Sequence, residues 1–105
     1  MSIRLVRTRW LMEICAEMQK LREYLDSHDI KWRDSSDDFT EWWMCRTKFE
    51  IKGNSFSVIN GFGSYGGVLI GRSRNQGLLE CWINEKGEPT GYLTAEDVIK
   101  EIENA

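Results

Sequence analysis

Leu11, Ile14, Met18, Leu21 and Leu25 recur at alternating spacings of three and four. That rhythm puts all five on one stripe of a 3.6-residue helix. No Gly or Pro interrupts it, and good helix formers such as Glu13, Ala16, Glu17, Gln19 and Lys20 fill the other faces. Asp26 to Asp29 are expected to end the helix. The period then changes to two. Ile30 and Trp32 alternate with Lys31 and Arg33 as a short strand, and a longer alternation runs from Trp42 to Lys52. There Trp43, Cys45, Thr47, Phe49 and Ile51 share one face, and Trp42, Met44, Arg46, Lys48 and Glu50 share the other. Gly53-Asn54 is expected to supply the positive φ angles of a tight hairpin turn, with Ser55 to Asn60 returning as the partner strand.

Val68 to Ile70 can form a short strand, and Leu78 to Ile83 forms another, with Leu79, Cys81 and Ile83 opposite Leu78, Glu80 and Trp82. Asn84 to Gly91 reads as a loop. A short closing helix follows, with Thr94 as N-cap, Asp97 at the capping-box position and Val98, Ile99 and Ile102 buried. The expected fold class is therefore α+β: an N-terminal helix, an antiparallel sheet of three to five strands and a C-terminal helix. With 105 residues there is room for one core, and 1–105 is expected to form one domain.

Composition narrows the function classes. A hydrophobic share of 41% and a charged share of 30% suit a globular protein. The net charge of -3 argues against nonspecific nucleic-acid binding, which depends on cations replacing the counterions of phosphates. Three cysteines (Cys15, Cys45 and Cys81) are odd in number and widely spaced, so no disulfide framework is expected. No signal-peptide pattern stands at the start, and no apolar run approaches the ~20 residues of a membrane span. The expected compartment is the cytoplasm, with no membrane partner.

Five tryptophans exceed what so small a core needs, and Trp is a preferred interface anchor. Trp42 and Trp43 are adjacent on a strand and so point to opposite faces. With the helices on one face, Trp42, Met44 and Trp82 are expected on the other, as a contact surface. Asp37 and Asp38, in the acidic stretch Asp34 to Glu41, add a charged element to it. A protein partner or self-association would engage these residues.

Gly61 to Val68 (GFGSYGGV) fits G-x-G-x-x-G-x-V and resembles the glycine-rich loop of protein kinases, where backbone N–H groups cover phosphates. None of the other kinase signatures follows. A strained turn where glycine fits best is the simpler account. The alternative is a nucleotide-like phosphate ligand held by Gly61, Gly63, Tyr65, Gly66, Arg72 and Arg74. His28 is the sole histidine and has no second His or paired Cys beside it, so neither a metal nor a cofactor is expected.

The order of helix, strands and helix is similar to double-stranded-RNA-binding domains. The last helix, however, carries Glu96, Asp97, Glu101 and Glu103 with Lys100 where those domains present cations to phosphate. The second half (SFSVINGFGSYGG, GLLECWI and GYLTAEDVIKEI) resembles small orphan accessory proteins carried by phages and mobile elements of Gram-positive bacteria. That resemblance implies an accessory or anti-defence role, exerted by binding a host protein or sequestering a nucleotide signal. The first expectation is a non-enzymatic protein-binding module, and a small-molecule binder is the alternative.

Overall fold

The computed structural model describes residues 16–35, 45–61, 64 and 77–105. The elements run in the order α1 (Ala16–Ser27), β1 (Trp32–Asp34), β2 (Cys45–Ile51), β3 (Asn54–Asn60), β4 (Leu79–Ile83), β5 (Thr90–Leu93) and α2 (Ala95–Glu103). The five strands form one antiparallel sheet in the order β1-β2-β3-β4-β5. The fold class is α+β.

The helices pack against each other and share one core with one face of the sheet. Met18, Leu21 and Leu25 of α1, Phe49, Phe56, Val58 and Leu79 of the sheet, and Val98 and Ile102 of α2 are all buried in it. Phe49 and Phe56 are cross-strand partners, and their rings stack with centroids 5.0 Å apart. Leu11, Ile14 and Trp43, also expected in this core, lie outside the described residues, as does the Val68 to Ile70 segment.

The end of α1 sets where β1 begins. Asp29 adopts φ 56, and Ile30 N donates to Leu25 O at 2.9 Å while Asp29 N donates to Asp26 O at 3.2 Å. This is a Schellman closure with Asp29 in the left-handed position that usually holds glycine. Ile30, expected in the strand, belongs to this cap and packs on the core instead. The strand therefore starts at Trp32 and takes in Asp34, which was expected to open the acidic loop.

Two other boundaries differ from the sequence pattern. Ile51 pairs with Asn54, so the hairpin turn is Lys52-Gly53, at φ 49 and 83, one residue earlier than expected. That register sets Phe49 opposite Phe56, whereas a Gly53-Asn54 turn would set Phe49 opposite Val58 on the same covered face, so facing alone does not choose between the two turns. The expected Asn84 to Gly91 loop is also cut short, since β5 begins at Thr90 and pairs with β4. Local turn residues do not reveal that pairing; β4's second edge needs a hydrogen-bonding partner.

Candidate functional site

α2 begins as its sequence predicts. Thr94 Oγ1 accepts from Asp97 N at 3.3 Å, and Asp97 Oδ2 accepts from Thr94 N at 3.0 Å. Those hydrogen bonds hold the Asp97 carboxyl below its ordinary value. Glu17 of α1 adds a third acceptor, taking the Ala95 N–H at 2.8 Å. Carboxylates at a helix N-terminus also suit its dipole.

On the covered side, the α1–β2 contact is polar at its centre. Arg22 Nε donates to Thr47 Oγ1 at 2.8 Å, and Nη2 reaches Cys45 Sγ at 3.3 Å. Nη1 lies 3.6 Å from Asp34, and the guanidinium stacks 4.6 Å from the Trp32 ring centroid. The Trp32 indole N–H in turn donates to Asp26 at 2.8 Å. This cluster is packing chemistry that ties α1 to β1 and β2.

The opposite face carries the cross-strand rows Lys48–Ser57–Trp82 and Arg46–Ile59–Glu80. Among the described residues it is a polar face with Trp82 and Ile59 as its apolar members. Ser57 and Glu80 are buried on it, although both described helices lie on the other side. Trp82 is half-buried, and its indole N–H donates to Lys86 O at 3.2 Å and Gly87 O at 3.0 Å. The ring is thereby fastened to the β4–β5 loop. The other residues expected in this contact surface, Trp42, Met44, Asp37 and Asp38, lie outside the described residues.

That loop and the strand after it concentrate left-handed backbone. Asn84, Glu85, Gly87 and Tyr92 all adopt positive φ. Asn84 is well anchored: its N–H donates to Ser55 O at 2.7 Å, and its Oδ1 accepts from Ser55 N at 2.8 Å. Tyr92 is the unusual member. Leu79 pairs with Leu93 and Cys81 with Thr90, so Gly91 and Tyr92 together oppose Glu80 in a β-bulge. Tyr92 takes φ 58 there and is 54% exposed, the most exposed large hydrophobic among the described residues. The sequence pattern does not single out Tyr92, because it divides Thr90-Gly91-Tyr92-Leu93 between a loop and a helix entry.

Between this hairpin and α2 lies a cleft of about 590 Å³. Cys81, Ile83 and Leu93 form its floor. Burial pushes the Cys81 thiol up to about 12, with Glu101 adding to the effect, so the thiol is protonated at neutral pH.

The glycine loop is described at Gly61 and Ser64. Ser64 N donates to Gly61 O at 3.2 Å, and Gly61 N donates to Ser64 Oγ at 3.0 Å. The Gly61 N–H is thus already engaged within a closed turn. Gly63, Tyr65, Gly66, Arg72 and Arg74 lie outside the described residues. His28 is exposed at the end of α1, stacked on Tyr24 at 4.0 Å, with Nδ1 3.0 Å from Tyr24 O.

Among the described residues no group of three or more His, Cys, Asp or Glu is placed to hold a metal ion. None of the described helices is long and apolar enough to cross a membrane. No protein family, curated protein or solved structure matches this chain.

Proposed function

We propose that this protein is a non-enzymatic protein-binding module of the cytoplasm whose contact surface centres on the β4–β5 end of the sheet. The observation that carries the reading is Tyr92. A left-handed backbone costs a non-glycine residue roughly 1–2 kcal/mol, and bulky side chains rarely accept it. Here the strain falls on a residue that is 54% exposed rather than on one buried in the core. Strained backbone at an exposed aromatic residue is the kind of position found at contact sites.

Trp82 is the second aromatic residue at this end of the sheet. Its indole is fixed by two carbonyls of the adjoining loop, so it enters an interface with little further loss of rotamer freedom. Trp42, Met44, Asp37 and Asp38 are assigned to the surface on sequence grounds alone. The resemblance of the second half to phage and mobile-element accessory proteins supports an inhibitor that acts by occupying a host protein. The protonated, buried Cys81 thiol and the helix-end engagement of His28 favour binding over catalysis.

The test is native mass spectrometry of the protein taken from its own host, repeated with Tyr92→Gly. The expected result is a bound protein that the variant loses while melting at the same or a higher temperature. Retention of that partner at unchanged affinity by both Tyr92→Gly and Trp82→Phe would overturn the assignment.

A further inference from the structure

The cleft beside α2 is built from two unlike walls. Asp97, Lys100, Glu101 and Asn104 face it from the helix. Their spacing of three and four makes them one stripe, separate from the buried stripe of Ala95, Val98 and Ile102. Lys86, Glu88 and Thr90 face it from the β4–β5 hairpin. Asp97 is committed to the helix cap.

The Asp97 carboxylate stays charged at that end of the helix wall, and four further charges lie outside the cap, a cation and an anion on each wall. Among the described residues, none of Lys86, Glu88, Lys100 and Glu101 reaches an opposite charge within ion-pair distance. The walls therefore do not close on each other, and Ile83 and Leu93 on the floor stay half-buried. An occupant of one sign would meet repulsion from part of each wall, whereas one carrying both signs would meet attraction from each.

We propose, resting on the protein-binding reading, that this cleft receives a short segment of the partner protein. The segment lays one apolar side chain on Ile83 and Leu93 and flanks it with one basic and one acidic residue. The volume of about 590 Å³ falls among those of sites that enclose small ligands or side-chain clusters.

The probes are end-blocked tripeptides with a central Leu, flanked by Lys and Glu in either order, by two Lys or by two Glu, with an Ala-centred control. Backbone amide spectra of the full chain are followed during titration to millimolar peptide. The expected result is movement of the Ile83, Leu93 and Lys100 signals with a mixed-charge, Leu-centred peptide. Lys100→Glu should weaken that response several-fold and strengthen the response to the doubly basic peptide. Equal responses to mixed and like-charged peptides, or no movement with any of them, would overturn the proposal.

The two readings fail separately. If the native partner is lost with Tyr92→Gly but held at unchanged affinity by Lys100→Glu and by Leu93→Ala, the cleft is not its seat and the binding reading stands. If the cleft binds the mixed peptides while Tyr92→Gly leaves the partner in place, the Tyr92 surface falls and the cleft proposal stands.

Discussion

Arg22 and Thr47 are joined by a 2.8 Å hydrogen bond from guanidinium Nε to hydroxyl Oγ1, which ties α1 to the covered face of β2. Thr47 is fully buried, and its hydroxyl donates onward to Met18 Sδ at 3.2 Å. Removing the guanidinium leaves a buried hydroxyl with one partner fewer. Arg22→Ala is expected to destabilise the fold by about 2 kcal/mol, the usual range for a charge-assisted bond. Arg22→Lys should lose a similar amount, since a point charge cannot serve Thr47, Cys45 and the Trp32 ring together. Denaturant titration measures both; a lysine variant as stable as wild type would show that charge alone matters.

Leu21 and Phe56 are fully buried on opposite layers of the same core. Each, replaced by Ala, should cost ~2–5 kcal/mol. A melting temperature within a degree or so of wild type for either variant would contradict their place in the core.

Asp29 and Lys52 are two of the non-glycine residues that carry left-handed backbone. Asp29 closes α1 at φ 56, where its charge also opposes the helix dipole, and Lys52 occupies the hairpin turn at φ 49. Asp29→Gly and Lys52→Asn should each stabilise by roughly 0.5–1 kcal/mol, as relief of such strain usually does. Chemical denaturation of the pair would show whether the gains add, as separated sites should.

Acid should act through the cap of α2. The Asp97 carboxyl is held below its ordinary value of 3.8 by its hydrogen bonds to Thr94. A depressed acid stabilises the fold above its unfolded pKa, and that contribution is lost as pH falls through the folded one. Asp97→Asn should therefore melt below wild type at neutral pH, and the gap should close under acid conditions below 3.8. Thr94→Ala, which removes the N-cap itself, should cost ~1 kcal/mol. A gap for Asp97→Asn that persists unchanged into acid would refute the charged-cap account.

Base should act through Cys81. Its thiol rises from 9.0 to about 12 on folding. The neutral thiol's contribution is full below the unfolded value and is lost as pH climbs through the folded one. Stability should decline across that alkaline window, less so in Cys81→Ala after its own packing loss is allowed for. Alkylation of Cys81 in the native protein should be slow at neutral pH, because the thiol is protonated and 5% exposed; rapid labelling of the folded chain would show the thiol is not shielded.

Residue order by itself determined the element types here. The three-and-four spacing of Met18, Leu21 and Leu25, the alternation through Cys45, Thr47 and Phe49, and the Thr94–Asp97 box are local patterns, and local backbone geometry turns each into a helix, a strand or a cap. What tertiary structure decided is everything set by pairing between distant segments. Thr90 to Leu93 became a strand because β4's second edge needed a partner, and the resulting bulge turned Tyr92 outward. Lys52-Gly53 became the turn in a register that sets Phe49 opposite Phe56. Asp34 left its acidic run to face Arg22, and Lys86 and Lys100 came to face one cleft from separate elements. Such juxtapositions depend on which hydrogen-bonding edges and apolar faces meet, and neither propensity nor period carries that information along the chain.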